Sequence, residues 1–153
     1  MLGITKRGKT TATLSYQVNG GPVNLSVSDA DNQSRDSYQL GCEKLSGYYS
    51  FYGLTSEGEF IFYFGTDSLT IGHYSLNSGN AFKLHLVDYN NMSGFIYNAI
   101  DSLGVNVTSY KNGHISGNFS GLLTPLIDAN RDIYGNSTIY ITNGSFKDVP
   151  VFY

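Results

Sequence analysis

Apolar and polar residues alternate almost from the start of the chain. In "TATLSYQVNGGPVNLSV", Leu14, Tyr16 and Val18 recur at every second position, and Val23, Leu25 and Val27 resume the pattern after "NGGP". A period of two puts successive side chains on opposite faces of a strand, so this segment predicts two half-buried strands joined by a tight turn. Residues 28 to 37, "SDADNQSRDS", have no period and read as a polar loop. Alternation returns in "YQLGCEKL", where Tyr38, Leu40 and Cys42 share a face, and again in "GYYSFYGL". "EFIFYFGT" sets Phe60, Phe62 and Phe64 on one face and Ile61 and Tyr63 on the other. A strand apolar on both sides belongs inside a sheet.

"GHYSL", "AFKLHLVDY", "FIYNAI", "VNVTSY", "HISGNFSGLL", "STIYITNGSF" and "VPVFY" complete the series. Turn signals recur every ~8–12 residues, and no long stretch carries a 3.6-residue period, although "TPLIDANRDIYG" has room for a short helical turn. The predicted fold is all-β, an antiparallel sandwich or flattened barrel of about ten to twelve short strands. Pro22, Pro125 and Pro150 fall at strand ends or turns, where a missing donor costs least. Residues 1–9 read as a flexible N-terminal segment and residues 10–153 as one domain.

Composition narrows the function classes. Charged residues are 14% of the 153, against roughly 25% in typical soluble domains, while 13 Tyr, 9 Phe and 18 Gly supply strand and turn chemistry. A net charge of −3, with the one basic cluster at Lys6, Arg7 and Lys9, argues against a nucleic-acid partner. The single Cys42 excludes an intrachain disulfide and reads as a buried small apolar residue. No apolar run is long enough to span a membrane as a helix. "MLGITKRGKTT" shows no signal-peptide core, which fits either a cytoplasmic protein or an exported one without its leader.

The C-terminal third, "GHISGNFSGLL" followed by "STIYITNGSFKDVPV", resembles the closing hairpin of a group of β domains in exported cell-envelope lipoproteins of Bacteroidota. Ile115, Gly117, Phe119, Ile141, Thr142, Asn143, Gly144 and Phe146 carry the likeness, which "YQVNGGP" and "GHYSL" extend over most of the chain. The resemblance implies export and attachment to the outer membrane through a lipidated N-terminal cysteine not included in this sequence. It implies no activity. Physically, Gly117 and Gly144 mark bulges or close backbone approach, "TNG" supplies positive-φ residues for a turn, and Phe119 and Phe146 are core anchors facing one another.

Candidate chemistry is sparse. "IDANRDIYGN" places Asp128, Asn130, Asp132 and Asn136 as oxygen ligands for calcium, with Gly135 permitting the reversal. It fails the EF-hand pattern, since Ile133 and Ile139 occupy the positions that need Gly and Glu. The competing reading is a polar turn, the variable loop of the closing hairpin. Asp29, Asp31 and Asp36 form a weaker acidic loop. His73, His85 and His114 lie at no metal-binding spacing, and no nucleophile elbow or phosphate-cradling loop occurs. No catalytic residues and no cofactor are assigned. "DSL" at residues 67–69 and 101–103 resembles the bacterial Asp-Ser/Thr-apolar O-glycosylation site.

Tyr48, Tyr49, Tyr52 and Tyr63 are the candidate binding residues, because tyrosine joins an apolar ring to a polar handle and several together make a platform for a sugar or a peptide. Core filling is the alternative reading of the same residues. The expected function is a noncatalytic, surface-exposed β domain that binds an envelope protein or a glycan outside the cytoplasm. The alternative is a carrier of a small apolar ligand in a barrel cavity.

Overall fold

The computed structural model describes residues 10–55, 58–75, 84–88, 95–99, 104–125 and 139–153. Among them the regular structure is nearly all strand: β1 (Ala12–Val18), β2 (Gly21–Val27), β3 (Leu40–Leu45), β4 (Tyr48–Thr55), β5 (Gly58–Phe64) and β6 (Gly72–Ser75), then β7 (Leu84–Asp88), β8 (Phe95–Ala99), β9 (Gly104–Lys111), β10 (His114–Pro125) and β11 (Ile139–Phe152). A single 3₁₀ turn, Ala30–Asn32, is the one helical element described. The opening hairpin forms as its pattern predicts. Val18 pairs with Gly21 across Asn19 and Gly20, whose φ angles of 49° and 84° match the right-handed twist of the strands they join.

The two longest strands organise the rest. β10 and β11 pair antiparallel from His114↔Pro150 to Leu123↔Ile139. On its other edge β11 takes β1 along Ile141 to Lys147 and then β3 at Val151 and Phe152. β10 does the same, taking β9 along His114 to Ser120 and β8 along Leu123 to Pro125. β3, β4, β5, β7 and β8 run in that order between the two points where β10 and β11 change partner. One curled sheet results, and its pairings return on themselves through the β10–β11 seam.

Two glycines let the seam close. Gly117 pairs with Phe146 and Phe119 with Gly144, so each ring lies over the bare Cα of the opposite strand. A methyl on Gly117 would come within 2.6 Å of Phe146 Cζ and closer still to the Asn106 carbonyl oxygen; one on Gly144 would collide with the Phe119 ring and backbone. Register shifts between Ile115 and Gly117, and between Phe119 and Gly121, mark bulges on either side. Both phenylalanines then point into the core as expected, their rings stacked 6.3 Å apart.

The core is an aromatic cluster between the seam and the strands that arch over it. Phe51 stacks on Phe62 at 4.3 Å, Tyr16 on Phe60 at 4.8 Å, Phe51 meets Phe146 at 5.0 Å, and Phe60 meets Phe119 at 5.1 Å. Burying each such ring contributes on the order of 2–3 kcal/mol, with up to ~1 kcal/mol more for well-oriented pairs. Phe60, Phe62 and Phe64 are fully buried while Ile61 and Tyr63 are half-buried, so β5 has the predicted two-sided character and lies between β4 and β7. Cys42 is buried, and desolvation pushes its thiol well above the ordinary range, which makes it inert packing.

The polar loop after β2 is held by one side chain. Gln33 donates through Nε2 to the carbonyls of Ala30 and Leu40 and accepts at Oε1 from the amides of Gln39 and Leu40, which uses its full hydrogen-bonding capacity. His114 Nε2 lies 2.7 Å from Asp31 Oδ1 and ties the loop to the start of β10. Asp31 is thereby paired within the fold, and Asp29 accepts from Asn32, which accounts for two of the three acidic side chains seen in this loop.

Three sequence expectations are corrected. The sheet is mixed: β11 and β3 run parallel, because the chain end reaches β3 from across the molecule and no hairpin joins them. "TNG" makes no turn, since Asn143, at φ 50°, sits in a bulge and "VPVFY" continues the same strand past a second positive-φ residue, Asp148. Tyr38 does not share a face with Leu40 and Cys42: it precedes β3 and packs against Tyr52 and Phe152 on the side of Gly41, while Leu40 and Cys42 are buried in the core. Residues 1–9 and the proposed calcium ligands Asp128, Asn130, Asp132 and Asn136 lie outside the described residues.

Gly117→Ala and Gly144→Ala should each lower stability by about 3 kcal/mol, because the added methyl meets backbone that cannot rotate away. Chemical denaturation checks this. Gly113→Ala, where a Cβ meets nothing within 4 Å, should cost only the strain of a positive φ, about 1 kcal/mol.

Candidate functional site

Alternation along β4 decides which tyrosines can meet a partner. Phe51 and Tyr49 turn inward, so Tyr48, Ser50, Tyr52 and Leu54 turn outward. The register brings Gly41, Tyr52 and Ile61 into one row and Glu43, Ser50 and Tyr63 into the next, with Leu45 beside Tyr48. Three of the four predicted tyrosines therefore share the outer face of β3–β5. Tyr49 does not. It is 3% exposed, and the Lys44 ammonium lies 5.9 Å from its ring centroid. Adjacent residues of one strand cannot share a face, and for Tyr49 the core reading holds.

Two residues outside the sequence prediction join this face. Tyr38 stands edge-on to Tyr52, centroids 5.5 Å apart, and Phe152 lies 5.2 Å from Tyr38. Gly41 is their floor: a Cβ there would be 2.5 Å from Phe152 Cε2 and 3.1 Å from Tyr38 Cδ2. Gly41, a glycine inside a strand, was the one local signal of a close approach here, but it does not name the residues that approach. Tyr48 and Tyr63 form a second group, edge to face at 5.9 Å. The groups are separated along β4 by the four-residue step from Tyr52 to Tyr48, about 13 Å.

Carboxylates accompany the rings. The Tyr52 hydroxyl donates to Glu59 Oε1 at 3.1 Å, and Arg35 donates through Nε and Nη2 to Glu43 Oε1 at 3.3 and 3.2 Å. Arg35 is half-exposed, so this pair adds little stability. Burial, with the Glu43 carboxylate beside it, holds the Tyr38 hydroxyl above the usual phenol range, so it stays protonated at neutral pH. The face combines apolar ring surface with fixed acceptors and no uncompensated cation among the described residues.

The outer surface of the other strands has a different character. His73 Nδ1 lies 2.7 Å from Asn106 Oδ1, and Asn106 Nδ2 donates to Asn118 Oδ1 at 2.9 Å. The row continues by register through Ser145 and Ser15 to Asn24, across β6, β9, β10, β11, β1 and β2. Beyond His73 it is made of small, polar Asn and Ser side chains, as a solvated sheet face should be. Among the described residues no three His, Cys, Asp or Glu side chains converge as a metal site, and no helix is long and apolar enough to cross a membrane. His73 and His114 lie apart, each with a polar partner of its own.

No family model matches the chain, and no curated protein or solved structure does so either.

Gly41→Ala should displace Phe152 and Tyr38 while leaving Tyr48 and Tyr63 in place, at a cost of about 1–3 kcal/mol. Ring-proton chemical shifts report it: large changes confined to Tyr38, Tyr52 and Phe152 are expected, and unchanged shifts there would contradict the packing.

Proposed function

We propose that this chain is a noncatalytic binding domain displayed on the outside of a bacterial envelope, which takes an envelope protein or a glycan on the aromatic face of β3–β5. The observation that carries the reading is the clustering of Tyr38, Tyr48, Tyr52, Tyr63 and Phe152 on one outward surface, with Tyr48 38% exposed and Leu54 41% exposed beside them. Single exposed apolar side chains are ordinary on a protein surface, but large ones gathered in one place favour an interaction surface. The envelope location rests on the resemblance to Bacteroidota lipoprotein domains, with a lipid anchor on a preceding cysteine.

We read the circuit of strand pairs as a flattened barrel with a packed interior. The rival function, a carrier of a small apolar ligand, has less support, because Tyr16, Phe51, Phe60, Phe62, Phe119 and Phe146 occupy the space between the strands in the described residues. Calcium through Asp128, Asn130, Asp132 and Asn136 has no part in this proposal.

The test is capture from detergent-solubilised envelope of the source bacterium, with the immobilised domain compared against a Tyr48→Ala, Tyr63→Ala double variant that retains the wild-type melting profile. The expected outcome is a protein or glycan species held by the wild type and reduced at least about tenfold by the double variant. Equal capture by both, or none by either, would overturn the reading.

A further inference from the structure

We infer that the partner is a neutral glycan, laid across β3–β5 so that its sugar rings rest on the two aromatic groups and its hydroxyls bond the neighbouring carboxylates. The inference rests on the aromatic face being the binding surface, and it adds the chemistry of what binds there.

The main chain under the face offers a partner nothing. Tyr48 to Gly53 are paired with β3 and Tyr49 to Thr55 with β5, so the backbone of β4 is hydrogen-bonded on both sides. A peptide strand recognised by β-augmentation needs a free sheet edge for its amides and carbonyls. Laid on this face, its main-chain groups would be desolvated against rings, at a cost of about 1–3 kcal/mol for each one left unpaired. A pyranose makes no such demand. One side of the ring presents C–H groups, which suit an aromatic face, and its hydroxyls project around the rim where the carboxylates stand.

Charge selects among glycans. The cation identified on this surface is Arg35, already bonded to Glu43, while Glu59 adds a second carboxylate. Uronate, sulfate or phosphate groups would meet negative charge with no compensating partner, so the surface fits an uncharged polymer. Ionised carboxylates accept shorter and stronger hydrogen bonds from hydroxyls than neutral acceptors do. The bond from the Tyr52 hydroxyl to Oε1 of Glu59 orients that carboxylate and, among the described residues, leaves Oε2 for the ligand. Between the aromatic groups lie Glu43 and Ser50, paired across β3 and β4. The step of about 13 Å from Tyr52 to Tyr48 is longer than one sugar ring, so the site takes an oligosaccharide or an internal stretch of a polymer.

Affinity electrophoresis in native gels tests this with named probes: mixed-linkage β-glucan, galactomannan, α-mannan and dextran as neutral polymers, polygalacturonate and alginate as anionic ones. Retardation by at least one neutral polymer and by neither anionic one is expected. Titration calorimetry with oligosaccharides of the retarding polymer should then show a loss of at least about tenfold for Tyr48→Ala with Tyr63→Ala, and about tenfold for Glu59→Gln. Glu59→Gln keeps the side-chain shape, so its effect separates ligand contact from folding. No retardation by any neutral polymer, preference for the anionic ones, or affinity unchanged in these variants would overturn the inference. If envelope capture still depends on Tyr48 and Tyr63 while every neutral glycan fails, the binding surface stands and its glycan ligand falls; if both fail, the surface itself is wrong.

Discussion

Two glycines and two phenylalanines exchanged across one strand pair hold the molecule in shape. Gly117 lies under Phe146 and Gly144 under Phe119, so β10 and β11 approach closely while both rings enter the core. A shift of one residue would turn every side chain of one strand to the other face, and a shift of two in either direction would set each phenylalanine against a side chain where glycine now leaves room. The register is thus specified by shape as well as by hydrophobic pattern. Bulges next to the pairs, with positive φ at Asn143 and Asp148, bend β11 far enough for its end to leave β1 and join β3.

The exposed chemistry depends on that geometry. Because β11 delivers Phe152 to β3, and Gly41 leaves room for it, an aromatic residue from the chain end joins Tyr38 and Tyr52 on a surface that β3–β5 could not complete alone. On the inner side of the same strands, Phe51, Phe60 and Phe62 pack on the seam phenylalanines and support the proposed binding face from beneath. A face on paired strands loses little conformational entropy when it binds, which favours a weakly interacting ligand such as a sugar. The polar row from His73 to Asn24 gives the outer face of the other strands a solvated character instead.

The sequence made much of this legible, wherever the determining force was local. Alternation identified the opening hairpin and the shared face of the β5 phenylalanines, which the structure turns inward, and Asn19–Gly20 carried the hairpin's tight turn in two letters. Gly117, Phe119, Gly144 and Phe146 were recognisable as a closely approaching pair of strands. Tertiary choices were not legible. Nothing local says that β6 pairs with β9 instead of β7, or that Asn143 bends a strand where the same three letters elsewhere make a turn. Tyr49 was placed on the binding face because aromatic density was counted without the period of two, and Phe152 was missed because its neighbours lie more than a hundred positions away in the chain.

Native-state amide hydrogen exchange measures most directly whether the seam is the last structure to open. If it is, amides from Ile115 to Phe119 and from Ile141 to Phe146 exchange only through global unfolding, with a protection free energy equal to the stability found by denaturant titration, while β2 and β6 at the sheet edges open at lower cost. Sub-global opening of β10 and β11, with β3–β5 still protected, would contradict the account.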